Sequence, residues 1–169
     1  RFYGDPSQYA IMGLLPSYLE REGSSLIYMV KKLMELSGNV HGGFFMNDHN
    51  AMLRAVDEAR TAGLNVMLLG VSFALLDLAE QHPCDLSDVI IMETGGMKGR
   101  KREMVREELH GILKDAFGVR AVHSEYGMTE LLSQAYSEAE GLFATPPWMR
   151  VLIRDSHDPS SHSADAGAV

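Results

Sequence analysis

Cysteine is almost absent from this sequence, and neither long apolar runs nor an excess of positive charge is present. The 169 residues contain one cysteine, Cys84, which excludes an intrachain disulfide and favours a reducing, cytoplasmic setting. No apolar run approaches the roughly 20 residues that a membrane-spanning helix needs. The first residues, RFYGDPSQYA, are mixed and polar and lack an initiator methionine. We therefore expect no signal peptide, no membrane span and a chain that is a piece of a longer protein.

The charge balance of the chain is acidic. Asp and Glu number 23 against 15 Lys and Arg, a net charge of -8. Non-specific nucleic-acid binding depends on neutralising phosphates with basic side chains, so we expect no nucleic-acid partner. The length suits one domain, and a hydrophobic content of 46% is enough for a core.

Short apolar runs alternate with amphipathic stretches along most of the chain. The predicted strands are 9–16, 42–46, 64–71, 88–94, 119–125 and 148–155, and the predicted helices are 24–38, 48–63, 72–82 and 101–118. Continuous apolar strands joined by amphipathic helices predict an α/β fold with a mostly parallel sheet and helices on both faces. We assign residues 1–155 to this core and the polar residues 156–169 to a loop or frayed end.

The segment GVSFA (70–74) is similar to the nucleophile elbow of a serine hydrolase, and it lies between a predicted strand and a predicted helix. Upstream, the segment HGG (41–43) is similar to an oxyanion-hole loop, and His123 lies downstream. However, only one helix fits between that loop and the elbow strand, and Ala74 replaces the last glycine. We favour Ser72 as the cap of a helix that begins at Phe73, and we keep an α/β-hydrolase-like serine esterase as the alternative.

Two loops follow neighbouring predicted strands. In ETGGMKGR (93–100), Gly95 and Gly96 allow a flat ligand to lie against bare backbone. In HSEYGMTE (123–130), the ring of Tyr126 can stack on a base, and Gly127 clears the space beside it. Ligands of such sheets bind beyond the carboxyl ends of the strands, so we expect 93–97 and 125–130 to lie side by side at one site.

Two further patterns in these loops allow more than one interpretation. Four basic residues gather where the helix 101–118 is predicted to begin, namely Lys98, Arg100, Lys101 and Arg102. Positive charge there opposes the helix dipole and can mark a functional site, or it can be neutralised by nearby glutamates on the same helix. In the second loop, a turn leading into a helix accounts for Glu130 but not for the order Tyr-Gly-x-Thr-Glu.

Together these residues resemble the adenylate-forming superfamily of acyl-CoA synthetases and related ligases. The segment YGMTE (126–130) is similar to its aromatic-Gly-x-Thr-Glu motif, and Gly95-Gly96 is similar to the loop that holds the adenine from the other side. Three blocks in order resemble the acyl-protein synthetase family of the bioluminescence fatty-acid reductase type more closely: GLLPSYLEREGSSLIYMV (13–30), METGGMKGRKRE (92–103) and HSEYGMTELLSQAYS (123–137). The resemblance implies a subdomain of the N-terminal domain of such an enzyme.

The resemblance also implies a reaction and a role for each site residue. A carboxylic acid, in the closer family a fatty acid, reacts with ATP to give acyl-AMP and pyrophosphate, and a thiol of a protein cysteine or of CoA then takes the acyl group. Tyr126 would stack on adenine, Thr129 would contact the α-phosphate and Glu130 would bind Mg²⁺, the last two being the catalytic residues. The remaining nucleotide-site residues would be Gly95, Gly96, Glu125, Gly127 and Met128. Tyr18 and Phe73 are candidates for the acyl pocket, with ordinary core aromatics as the alternative.

The sequence departs from the family pattern in three ways. It has no Ser/Thr/Gly-rich phosphate loop, and it stops before the ribose-binding aspartate and the small C-terminal domain with the catalytic lysine. The family's thioester cysteine would also lie in the missing part, so Cys84 is not assigned that role. We expect residues 1–169 alone to bind ATP weakly or not at all, to make no acyl-AMP, and to self-associate through edges left bare.

Overall fold

The computed structural model describes residues 2–16, 23–97, 99, 101–154 and 162–163. The helices within these residues are α1 (Ser25–Ser37), α2 (His49–Thr61), α3 (Ser72–Gln81) and α4 (Arg106–Phe117). The strands are β1 (Tyr9–Leu14), β2 (Gly43–Phe44), β3 (Asn65–Val71), β4 (Val89–Thr94), β5 (His123–Gly127), β6 (Gln134–Ser137), β7 (Ile153–Arg154) and β8 (His162–Ser163).

Six of these strands form one sheet in the order β2-β1-β3-β4-β5-β6. The neighbours from β2 to β5 pair in parallel, and β6 pairs antiparallel with β5 at the edge. Strands β7 and β8 form a separate antiparallel pair. The predicted α/β fold with a mostly parallel sheet is confirmed.

Helices cover both faces of the sheet, and the helix residues that lie next to two strand glycines, Gly13 and Gly70, show this. A Cβ on Gly13 of β1 would come within 3.5 Å of Met34 in α1, whereas a Cβ on Gly70 of β3 would lie 2.7 Å from Leu75 in α3. Gly70 is the register partner of Leu14, the residue after Gly13, and successive residues of a strand point to opposite faces. Helices α1 and α3 therefore pack on opposite faces, as predicted.

The first two helices begin and end where the sequence predicts. The hydroxyl of Ser24 accepts a hydrogen bond from the Ile27 amide and caps α1, which ends at Gly38 in the left-handed conformation. Asp48 caps α2 through the Ala51 amide. None of the helices within the described residues is long and apolar enough to cross a membrane.

Helix α4 begins five residues later than predicted, at Arg106 rather than at residue 101. Lys101 forms ion pairs with Asp77 and Glu80 of α3, which hold the chain in an irregular path before the helix. Val105 is the extended N-cap and is 66% exposed, whereas Leu109 is buried and Ile112 and Ala116 pack half-buried against the core. The fully buried apolar residues of α4 are Leu109, Leu113 and Phe117. Lys101 and Arg102 therefore do not lie in the first turn of the helix, and Lys98 and Arg100 lie outside the described residues.

The end of the chain also differs from the prediction. Of the predicted last strand 148–155, the described residues 148–154 form a ladder only at Ile153–Arg154, and the partner of this short strand is β8 rather than a strand of the main sheet. Trp148 and Val151 in that segment are largely exposed. The edge of the main sheet is instead β6, a strand of only four residues that was not predicted. Strand β5 starts at His123, not at residue 119, and continues through Gly127.

Candidate functional site

The two motif-bearing segments meet at the carboxyl ends of β4 and β5. Met92 and Glu93 pair in parallel with His123 and Ser124. One residue further along, the Thr94 hydroxyl donates a hydrogen bond of 2.6 Å to Oε2 of Glu125. The expectation that 93–97 and 125–130 lie side by side at this end of the sheet is confirmed.

A cavity of about 720 Å³ lies over these strand ends. That volume is within the range of pockets that bind small molecules and nucleotides. Residues 93–95 of β4 and its loop and residues 125–128 of β5 and its loop line it, together with an apolar wall from α1 that includes Leu26, Met29 and Leu33. The cavity thus joins a polar strand end to an apolar helix face.

The ring of Tyr126 lines the cavity and is half exposed. Its centroid lies 6.0 Å from that of Phe143, with a tilt of 67° between the planes. The Arg106 guanidinium lies over the Phe143 ring at 5.3 Å. Since Phe143 contacts the ring edge-on, Phe143 helps to orient Tyr126 while part of the ring stays open to a ligand.

The glycines of the two segments have different roles. Gly95 has a φ of 73°, a backbone conformation that side chains other than glycine rarely adopt. A Cβ on Gly96 would meet nothing within 4 Å, so its backbone is bare and open. A Cβ on Gly127 would lie 2.6 Å from Oε1 of Glu125. Gly127 therefore makes room for the Glu125 carboxylate, and it lines the cavity beside Tyr126.

Two carboxylates, Glu93 and Glu125, lie at this end of the sheet on opposite faces. Burial raises the pKa of Glu125 above its ordinary value, and the charge of Glu93 adds to this, while the hydrogen bond from Thr94 acts the other way. Burial alone would raise the pKa of Glu93. The contacts with His110 and Ser72 and the charge of Arg106 outweigh burial, so the pKa of Glu93 lies below its ordinary value. The environments push the two pKa values apart, as is common where carboxylates serve different roles.

Ser72 is neither a helix cap nor the partner of a histidine. Helix α3 follows β3 without a loop, Ser72 is its first residue, and Val71 is the N-cap without a side-chain bond, so the predicted cap is wrong. The Ser72 hydroxyl, only 2% exposed, donates to Oε1 of Glu93 at 2.5 Å. A serine hydrolase needs an imidazole as that acceptor.

The two histidines of the hydrolase hypothesis have partners elsewhere. Nδ1 of His123 lies 3.1 Å from the Tyr3 hydroxyl, and Nδ1 of His41 lies 3.5 Å from Oε2 of Glu58. The histidine near the Ser72–Glu93 pair is His110 of α4, whose Nε2 stands 3.9 Å from Oε2 of Glu93. The structure thus does not place Ser72, His41 and His123 together.

The remaining candidate residues lie in different places. Phe73 is buried in the core at 2% exposure and is not among the residues that line the cavity, and Tyr18 lies outside the described residues. Thr129 and Glu130 begin a short 3-10 turn, Thr129–Leu131, directly after the cavity residue Met128. Glu130 is exposed and is also not among the lining residues.

Several site residues were missed by sequence reasoning. Glu93 had a usable signal, because a carboxylate inside the apolar run VIIMET predicts a buried ionisable group. Arg106, Phe143 and the wall of α1 had none, since only folding brings these distant segments to the cavity. No family model, curated protein or solved structure matches this chain. Its function is therefore inferred from the residues of the site.

Proposed function

We propose that this chain is part of an ATP-dependent ligase that activates a carboxylic acid, forming acyl-AMP and passing the acyl group to a thiol. The observation that carries the proposal is the meeting of Gly95 and Tyr126 at one cavity, joined by the Thr94–Glu125 hydrogen bond. The parallel pairing of β4 with β5 brings the two segments that carry the nucleotide-site resemblance to the same cavity, which is where ligands of such sheets bind.

In this proposal the adenine lies between the ring of Tyr126 and the backbone at Gly95 and Gly96. The half-exposed ring leaves part of its surface for stacking, and Phe143 orients it from the edge. The open space at Gly96 and the left-handed Gly95 allow the base to approach the backbone closely.

The polyphosphate would bind beyond Met128, where Thr129 is proposed to contact the α-phosphate. Mg²⁺ is usually held by one or two carboxylates and by substrate phosphates. Glu130 is exposed and makes no hydrogen bond or ion pair with the described residues, so its carboxylate is available to a cation that the nucleotide phosphates also hold. Bound there, Mg²⁺ would neutralise charge on the phosphates during the displacement.

The apolar wall of the cavity suits a fatty acyl chain better than the buried ring of Phe73 does. Leu26, Met29 and Leu33 of α1 present hydrocarbon to the cavity, together with Met128 and Leu132. Burying methylene groups there is favourable by about 0.8 kcal/mol each. This wall replaces Phe73 in the proposed acyl pocket, because Phe73 is enclosed in the core.

The acceptor thiol comes from another molecule or from outside these residues. Burial raises the pKa of Cys84, which keeps its thiol protonated and poorly nucleophilic. The cysteine also follows α3 in the segment before β4, away from the cavity residues. The use of ATP together with a single, unpaired cysteine places the protein, in this proposal, in the cytoplasm.

The test is ATP–pyrophosphate exchange with a panel of fatty and aromatic acids. It is run on residues 1–169 and on the longest chain that the gene encodes. We expect acid-dependent exchange by the longest chain and none by residues 1–169, which lack a phosphate loop. Absence of exchange with every acid in the longest chain would contradict the ligase assignment.

A further inference from the structure

A second cavity, of about 400 Å³, lies along α4. Arg106, His110 and Lys114 line it at four-residue spacing on one side of the helix, and Arg120 of the α4–β5 loop joins them. The first cavity shares only Arg106 with it. The other lining residues are Glu107, Ala121, Val122, Ala139 and Glu140.

Three cations line this cavity without an ion pair to a described carboxylate, although the charge of Arg106 acts on Glu93. Arg106, Lys114 and Arg120 form no ion pair within the described part of the chain, whereas Lys32, Arg60, Lys101 and Arg102 each do. Positive charges at four-residue spacing destabilise a helix. Glu107 and Glu140 also line the cavity but leave an excess of cations. In a chain of net charge -8, this concentration of unpaired positive charge is a feature that an anionic ligand would explain.

The buried His110 is a polar residue of the cavity wall. It is 8% exposed, and its Nε2 has no hydrogen-bond partner among the described residues. Leaving a buried polar atom without a partner is costly, and such atoms in native proteins commonly meet a water molecule or a ligand. The Nε2 atom lies 3.9 Å from Oε2 of Glu93, beyond hydrogen-bond distance, so His110 adds a buried polar side chain to the wall of the cavity while the cations supply its charge.

One of the cations is already held in place. A Cβ on Gly141 would lie 2.9 Å from Nη1 of Arg106, so the missing side chain makes room for the guanidinium. The Arg106 guanidinium also lies over the Phe143 ring. An arginine fixed in this way loses less conformational freedom when it binds a ligand.

We propose that this cavity binds a phosphate group, either as free inorganic phosphate or as part of a small phosphate monoester. Arg106 and Arg120 supply planar donor pairs that match two phosphate oxygens, and Lys114 supplies a third positive charge. The small residues Ala121 and Ala139 leave room for the group beside the helix. The inference stands apart from the proposed ligase reaction.

The test is a titration of residues 1–169 followed by amide NMR shifts at constant ionic strength. The probes are inorganic phosphate and glycerol 3-phosphate, with sodium chloride as the reference. We expect saturable shifts at Ala121, Val122 and Ala139, and the tighter of the two probes identifies the source of the phosphate group.

Lys114→Gln and Arg120→Gln should each weaken binding about tenfold, the order expected for losing one charge-assisted contact. The matched control is Lys31→Gln, because Lys31 is also exposed and forms no ion pair with the described residues; this variant should leave the affinity unchanged. Circular dichroism checks that the exposed substitutions leave the fold intact. Equal weakening by the control, shifts confined to 94–95 and 126–128, or no saturation with either probe would each overturn the proposal.

Discussion

The hydroxyl of Thr94 donates a hydrogen bond to Oε2 of Glu125 and so joins the ends of β4 and β5 across 31 residues of sequence. The contact links the glycine loop to the strand that carries Tyr126. Because Glu125 is largely enclosed and lies at the cavity, its protonation state affects both the stability of the chain and the charge that a ligand meets.

Glu125→Gln should stabilise the chain at neutral pH. A carboxyl whose pKa is higher in the folded than in the unfolded state contributes stability at low pH that is lost as the pH rises through the folded pKa. Glutamine keeps an acceptor for Thr94 and cannot ionise. We expect a higher free energy of unfolding than wild type at pH 7 and little difference near pH 4, measured by urea unfolding. Glu107→Gln on α4 removes one exposed negative charge as a control, and equal stabilisation by both variants would show that burial is not the cause.

Ser72→Ala should destabilise the chain by roughly 1–3 kcal/mol, because the variant removes a hydrogen bond to a buried carboxylate. The pKa of Glu93 is lowered, so its contribution to stability is present at neutral pH and lost as the pH falls through the folded pKa. The cost of Ser72→Ala should therefore shrink in acid. Ser37→Ala is the matched control, because that buried hydroxyl donates to the carbonyl of Tyr9, which does not titrate.

A fluorophosphonate probe separates the ligase from the serine esterase alternative. We expect no stoichiometric labelling of the wild-type chain, since the Ser72 hydroxyl is buried and donates to a carboxylate. Labelling by mass spectrometry that disappears in Ser72→Ala would establish a nucleophilic serine and remove the basis for the ligase proposal.

Tyr126→Ala in the longest chain that the gene encodes should weaken ATP binding by roughly 1–3 kcal/mol, the usual contribution of stacking a base on an aromatic ring. Tyr126→Phe should be milder, because the Tyr126 hydroxyl contacts only Met128 Sδ, at 4.0 Å, among the described residues. Calorimetric titration gives both affinities. Equal losses in the two variants would assign the role to the hydroxyl instead of the ring.

Two glycine substitutions should separate stability from nucleotide binding. Gly127→Ala places a Cβ against the Glu125 carboxylate, so we expect the Thr94 bond to break at a cost of about 1 kcal/mol in thermal unfolding. The Cβ added by Gly96→Ala would have no atom within 4 Å, so the variant should change the free energy of unfolding by less than about 0.5 kcal/mol. We expect the same variant to lower the affinity for ATP. An unchanged affinity in Gly96→Ala would remove this residue from the proposed site.

The parts of the fold that sequence predicted are those with local causes. Strand β3 is a continuous apolar run. Ser24 and Asp48 cap the starts of α1 and α2, and Gly38 ends α1, each through a hydrogen bond to a nearby backbone group. The errors arise where distant residues decide the structure. Two carboxylates of α3 form ion pairs with Lys101 in the segment before α4. Ser72 does not cap α3 but donates a hydrogen bond to Glu93, which lies on the neighbouring strand β4.

The candidate site shows the same division. Tyr126, Gly95 and Glu125 were found from sequence because their motif residues are contiguous and the strand order of an alternating α/β chain places their loops together. Arg106, Phe143 and the α1 wall could not be found, because their nearness to the cavity depends on helix and turn packing. The raised pKa of Glu125 also arises only in the folded chain, where burial and the nearby charge of Glu93 act on its carboxyl group.

Hydrogen exchange with and without ATP and Mg²⁺ tests the central claim, that the ends of β4 and β5 form one nucleotide site. The sample is the longest chain that the gene encodes, and the readout is the exchange rate of each peptide by mass spectrometry. The account predicts slower exchange in the peptides that contain 92–97 and 123–128, and loss of that protection in Tyr126→Ala. Protection confined to other segments, or none at a saturating ATP concentration, would contradict it.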